Sequence, residues 1–343
     1  MRIVIMSGAV LAAALSITGC GGGGMGSPDA GYQVQVPGSG SGNQITVLGA
    51  INAWRTKCAI PPAGLMVAFN NSAVKHAAYQ AAQVPDVSSY TETNTANPFY
   101  TAANSSDRMQ KAWVAWYDKF VVAPLPPGPT GYDERIHDTL TGTAYVAWAW
   151  PQTIYHRLPM MRHEWRWLGY GDRDQAIEDG LAIPATHTFN ATTLDWGRLP
   201  GVVRSVSAWP TDGEIRVASS YSPADDAAIP PGLTSGKIYG TAIHLIHPTN
   251  SQWISISASV TPVEKPVVFP QLPTPTGTAL NPIRIIHGGG ATSTDTSYDS
   301  MLTVGEVFII PPDALNNGWY NVVFNGATSN ELVKYSWYFK VGP

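Results

Sequence analysis

Apolar and polar residues recur along this chain with two different periods, and the change of period divides it. Between Ile45 and about Gly171 the repeat is mostly helical. In "ITVLGAINAWRTKCAI" the residues Val47, Ile51 and Trp54 fall at spacings of four and three, one stripe of a helix that Pro61 and Pro62 stop. "NNSAVKHAAYQAAQ" follows, its Asn and Ser residues serving as caps ahead of a run of alanines. "NSSDRMQKAWVAW" repeats the scheme: Ser105 or Ser106 caps the helix, and Asp107 lies in the first turn, where the helix dipole favours negative charge. "TAYVAWAW" predicts a fourth helix, ended or kinked by Pro151.

Further on, the period shortens to two. "WLGYGD" and "THTFNATTLDWG" read as strands, and from about Trp209 short extended runs are bounded by Pro and Gly: "GEIRVASSY", "YGTAIHLIHP", "WISISASVTP", "NPIRIIHGG", "EVFIIPP", "WYNVVFNG" and "VKYSWYFKV". In the last of these Lys334, Ser336, Tyr338 and Lys340 alternate with Tyr335, Trp337 and Phe339. About seven short strands with turn signals between them predict an Ig-like β-sandwich. The chain is therefore α+β, and its 343 residues suit two domains, expected over 45–205 and 206–343.

Composition adds the means and removes one class of partner. Hydrophobic residues make up 44% and charged ones 13%, ample for packed cores, and the net charge of −4 comes with no basic stripe. Nucleic acid is excluded as an expected partner, since phosphate binding needs clustered Lys and Arg. The first residues, "MRIVIMSGAVLAAALSITGC", carry one Arg, an apolar run of signal-peptide length and then small residues. The ending "ITGC" resembles the lipobox of bacterial lipoproteins. That resemblance implies a signal peptide over 1–19 and a lipid on Cys20, which places the protein outside the cytoplasm, anchored to a bacterial membrane. The Gly/Ser-rich tract over 20–44 is then a flexible tether. Cys58 remains as the one other thiol, so no intramolecular disulfide forms, and it reads as a small buried hydrophobe.

The polar residues that stand out are histidines in apolar company. His156 lies in "YHRLPMM", after a tryptophan-rich run. His76 lies on the alanine-rich helix, with Gln80 and Gln83 on its face at spacings of four and seven. The order of "INAWRTKCAIPP", "NNSAVKHAAYQAAQ", "ETNTANPFYTAANSSDR", "DERIH", "AWAWPQTIYHR" and "LGYGD" resembles the CAP superfamily. These are the cysteine-rich secretory, antigen 5 and pathogenesis-related proteins, also called the SCP domain. The resemblance covers roughly Gln44 to Pro200 and is nearest to bacterial extracytoplasmic members with a following β domain. It implies an α-β-α sandwich whose cleft holds two His and two Glu. Carried over by position these are His76, Glu92, Glu134 and His156. At Glu134 the family's Gly-Glu-Asn context is absent, Asp133 is adjacent, "VVAPLPPGPTGY" looks inserted, and His137 is a further alternative.

In metal-bound members the two His hold the ion, which here implies a divalent metal such as Zn²⁺ on His76 and His156. The carboxylates would orient the imidazoles, or all four groups would do acid–base work without metal. His163, His187, His244, His247 and His287 read as structural or surface residues; "HLIH" puts His244 and His247 on opposite faces of a strand. "HGGG" at His287 matches the oxyanion loop of esterases, but the G-x-S-x-G elbow is missing. Three functions follow from these expectations. One is a membrane-anchored module that binds a lipid or cell-envelope component in its His/Glu cleft. Another is a metal-assisted or acid–base hydrolase using the same cleft. The third is a structural or adhesive surface protein.

Overall fold

The structure is a computed structural model, and it describes residues 42–82, 91–120, 129–137, 150–183, 192–198, 206–226, 228–248, 251–266, 274–281, 283–289 and 297–343. All of them fall within one compact unit, Gln33–Pro343. Cys20, the tether up to residue 41, Gln83, His187 and residues 143–149 of the expected fourth helix lie outside the described residues, while its last residue, Trp150, opens a short 3-10 turn.

The predicted stripe is found on α1 (Gly42–Lys57), where Val47 and Ile51 are fully buried. The helix ends before the two prolines, through its own backbone. Ala59 sits at φ +57°, the Ile60 N–H donates to the Arg55 carbonyl, and the Ala59 N–H donates to that of Thr56. This is the Schellman pattern, whose left-handed position usually takes glycine.

After β1 (Gly64–Leu65), α2 (Val67–Ala81) starts upstream of the expected caps; its N-cap is Met66, which offers no side-chain bond. Asn70 instead accepts from the Tyr170 N–H at 3.1 Å, tying the helix to the sheet. α3 (Ser105–Phe120) is capped by Asn104 rather than a serine, its Oδ1 accepting from the Asp107 N–H at 2.9 Å; Asp107 does lie in the first turn.

β2 (Tyr132–His137), β3 (Trp165–Gly171) and β4 (Thr192–Arg198) join β1 in a sheet of order β1-β3-β4-β2. A bulge in β3 between Trp165 and Trp167 reverses its alternation. Trp165, Leu168 and Tyr170 therefore pack with Val47 and Ile51 of α1. Trp167 turns to the other face, against Phe69 of α2 and Met109 and Trp113 of α3. Gly169 and Gly171 share that face, and α2 lies directly on them. A Cβ at Gly169 would come within 2.1 Å of the Phe69 carbonyl carbon, and one at Gly171 within 2.3 Å of that of Ala73. The alternate glycines of "LGYG" thus make room for a helix backbone. A short α5 (Arg173–Glu178) follows, capped by Asp172.

Two more four-stranded sheets make up the rest. The first has the order β11 (Arg284–His287), β12 (Glu306–Ile310), β9 (Ile243–Ile246), β5 (Ser207–Trp209). The second has the order β10 (Ser255–Val263), β13 (Gly318–Ala327), β14 (Leu332–Val341), β6 (Glu214–Val217). β7 (Ser220–Tyr221) and β8 (Tyr239–Gly240) pair apart from them. Leu245, Val307 and Ile309 of the first sheet share a core with Val322, Phe324, Trp337 and Phe339 of the second. On the first sheet's other side, Ile286, Phe308 and Ile310 pack against Ile154, Tyr155 and Leu158. Covered on both faces, β12 is buried at all five positions, which is what its unbroken run "EVFII" encodes.

Those covering residues belong to α4 (Ile154–Met161), the "YHRLPMM" segment, and every residue of it is buried. Its other flank sends Met160 into the core with Ile51, Leu168 and Trp196. Opposite charges hold the two ends. Asp226, from the strand-rich half, accepts from the Ile154 and Tyr155 N–H groups at 2.9 Å each. Arg55 of α1 donates to the Met160 carbonyl at 2.9 Å and to the Pro159 carbonyl at 3.3 Å. An anion at the N-terminus and a cation at the C-terminus both complement the helix dipole. Just past the helix, Arg162 pairs with both oxygens of Glu306 at 2.8 Å.

Two substitutions test these anchors. Asp226→Ala strips both α4 N–H groups, and the Tyr221 hydroxyl at 2.6 Å, of their acceptor. It is expected to cost about 2 kcal/mol or more, read as a lower urea midpoint, with Asp226→Asn costing less. An unchanged midpoint would mean that α4 is not held from the second half. Ala59→Gly is expected to raise stability by about 1 kcal/mol, because it relieves the left-handed backbone.

Candidate functional site

Three of the four residues picked out in the sequence meet on the α2–α3 side of the β1-β3-β4-β2 sheet. His76 comes from α2, Glu134 from β2, and Glu92 from the segment between α2 and α3. The His76 Nδ1 lies 3.1 Å from Glu92 Oε1, and its Nε2 lies 3.9 Å from Glu134 Oε1. A fourth member, Arg108 of α3, had no sign in the sequence. Its Nη2 donates to the two Glu134 oxygens at 2.6 and 2.7 Å, and its Nε is 3.6 Å from Glu92 Oε1. All four side chains are essentially closed to solvent.

Local structure fixes this group. The other oxygen of Glu92 accepts from the backbone N–H groups of Thr101 at 2.6 Å and Ala102 at 3.1 Å. Tyr79, one turn from His76 and stacked on its ring, accepts from the Thr93 and Asn94 N–H groups at 2.9 Å, which pins the chain beside Glu92. Burial alone would raise the Glu92 pKa. The His76 and Thr101 hydrogen bonds and the charges of His76 and Arg108 outweigh it and hold the carboxyl below its ordinary range. Asp133, the alternative to Glu134, alternates to the other face of β2, where its charge acts on Arg162. The side chain of His137 lies outside the described residues.

His156 does not join this group. α4 packs on the face of the sheet opposite α2, with Met160 against Leu168 and Tyr170 while Phe69 meets Trp167. The His156 Nδ1 is 3.0 Å from Thr153 Oγ1 and 3.7 Å from Asp226 Oδ1. The expected His76–His156 pair across one ion is thus replaced by two separate environments, because Asp226 and Arg55 fix α4 on the far side. A divalent ion does not fit the residues present, since the Arg108 guanidinium already stands where a cation would meet Glu134. Among the described residues no group of three or more His, Cys, Asp or Glu is arranged to hold a metal ion. Nor do Thr153, His156 and Asp226 form a catalytic relay, which needs nucleophile and carboxylate on different ring nitrogens; here both face Nδ1.

Among the described residues, His163, His244 and His247 are buried in packed surroundings. His163 lies 3.4 Å from Ser207 Oγ, and His244 stacks on Phe308. His247, the residue after β9, meets the rings of Trp253 and Tyr335.

The depressed Glu92 pKa carries a pH signature. Its stabilisation is complete above the ordinary glutamate value of 4.5 and is lost as pH falls through the lower folded value. Between about pH 5 and pH 3 the native protein is expected to lose stability more steeply than Glu92→Gln, measured as midpoint against pH. Parallel curves for the two proteins would remove Glu92 from the network.

No protein-family model matches this chain, and no curated protein matches it. Among solved structures, it is similar to an extracellular protein containing a SCP domain from Bacillus anthracis. The two share 15% identity, with 46% of this chain and 41% of that one covered and a TM-score of 0.32. This chain therefore spans less than half of that protein's length. It is also similar to the copper resistance protein PcoC of Escherichia coli in two crystal structures. Identity is 16% in each, over 41% of this chain and 99% or 96% of the other, with a TM-score of 0.22. Among the described residues, no helix is long and apolar enough to cross a membrane.

Proposed function

We propose that this chain is an extracytoplasmic binding protein held to a membrane by a lipid on Cys20. Its first half is a CAP-like α-β-α sandwich and its second an Ig-like β-sandwich, and its ligand is a lipid or another envelope component. The leader ending in "ITGC" and the Gly/Ser-rich tract behind it support the anchor. One observation favours binding over hydrolysis. The carboxylates that a hydrolase would keep available are instead saturated, Glu134 by Arg108 and Glu92 by His76 and two backbone N–H groups. A base already held by that many donors has little capacity left to take a substrate proton. The cluster thus acts as a closed polar brace between α2, α3 and β2, without a metal.

Two measurements test this reading. In a bacterial host the full chain is expected in the membrane fraction, and Cys20→Ser in the soluble extracytoplasmic fraction; equal partitioning would remove the anchor. In calorimetry the Cys20→Ser chain is expected to show no tight one-to-one Zn²⁺ binding. Tight binding that disappears in His76→Ala/His156→Ala would overturn the metal-free brace.

A further inference from the structure

A recess of about 260 Å³ opens where the end of α1 meets the mouth between the two later sheets. Its floor is Cys58, Leu245 and Trp337, all buried, and its walls include Val206, Ala208 and Tyr335. Ala208 and Leu245 are register partners on β5 and β9, so both face into it from the same side of their sheet. The recess lies where the shared core of the two sheets runs out into small side chains.

Its rim is polar, and several of its polar groups are already hydrogen-bonded to the surrounding structure. Lys57 Nζ is 3.1 Å from Glu214 Oε1, and the Thr211 hydroxyl donates to Glu214 Oε2 at 2.7 Å. Asp212 Oδ1 accepts from the Tyr338 N–H at 3.0 Å, and Ser336 Oγ accepts from Asn321 Nδ2 at 3.0 Å. On the floor, the Trp337 indole N–H donates to the Pro210 carbonyl at 2.9 Å. The floor offers apolar side chains and an indole N–H that is already bonded, so an uncharged hydrocarbon enters without disturbing any of these bonds. Burial pushes the Cys58 thiol up to about 12, the charge of Glu214 adding to it, so the floor is also uncharged at neutral pH.

We propose that this recess binds the end of a single acyl chain. Its volume is many times the space that one water needs, enough for a chain segment but not for a whole lipid. Choosing an acyl chain over another hydrocarbon rests on the membrane-side binding function proposed above; the uncharged apolar chemistry rests on the recess alone.

The test uses the full chain with Cys20→Ser, in which Cys58 is the sole thiol. It is titrated by calorimetry with n-octyl glucoside below its micelle concentration, and in parallel with phenyl glucoside. Saturable one-to-one binding of the octyl compound is expected, lost in Ala208→Trp. At saturation it should slow the reaction of Cys58 with a disulfide reagent by about tenfold, since the occupied recess denies access. The thiol measurement needs no change in the recess, so it stands even if Ala208→Trp misfolds. Binding of the phenyl compound alone would overturn the acyl assignment. Binding of neither would show the recess to be a gap in packing and overturn the proposal, while Cys20-dependent membrane retention would be unaffected.

Discussion

A short helix buried along its whole length has no water to satisfy the backbone groups at its ends. α4 is such a helix, and the surrounding architecture is organised by that constraint. The acceptor for its first N–H groups is Asp226, from the loop after β7, and the donor for its last carbonyls is Arg55, from α1. Between the ends, Arg157 donates to the carbonyls of Pro151 and Ala242 and lies over the Trp209 ring at 4.0 Å. Burial pulls its pKa down to about 9, which still leaves the guanidinium charged at neutral pH. The ties to Asp226, Arg55 and Ala242 join α4 to elements distant in the chain, so this helix cannot be satisfied until both halves are in place. That is the physical reason the helical and strand-rich parts share one compact unit. The buried Arg162–Glu306 pair acts in the same way: desolvation cancels much of its attraction, but breaking it leaves a lone charge inside.

What the sequence disclosed follows the range of the interaction concerned. The strands after Trp209 were legible because alternation is local, and so was the buried stripe of α1. "EVFII" was legible as a strand though not as one covered on both faces, and the paired glycines of "LGYG" lie under α2. The cap positions were missed by one to a few residues, because Asn70 found a better partner in the Tyr170 N–H than at the start of its own helix. Hidden altogether were the bulge between Trp165 and Trp167 and the pairings of Arg108 with Glu134 and of Asp226 with α4. Those partners are 26 and 72 residues apart, and no periodicity relates them. The family resemblance brought His76, Glu92 and Glu134 to one place. It could not foresee the α4 orientation, because that is fixed by Asp226, which lies outside the matched segment.

The same contrast explains the character of the candidate site. Two carboxylates buried side by side need a cation, and the nature of that cation decides what the site can do. A bound metal ion offers open coordination positions, and a water on it is acidified. A guanidinium offers only fixed donors and leaves no position open for water or substrate. In this chain the cation near both Glu92 and Glu134 is Arg108, built into α3 and unable to leave, with Tyr79 and the Thr101 backbone closing the remaining directions. Such a cluster is rigid and does not exchange its partners. Capacity for a ligand lies instead where the chain has left small side chains at a junction. Ala59, Ser207 and Ala208 supply them, between a helix end and two sheets. Charge therefore fixes the shape of this protein, and its unfilled apolar volume is what remains for recognition.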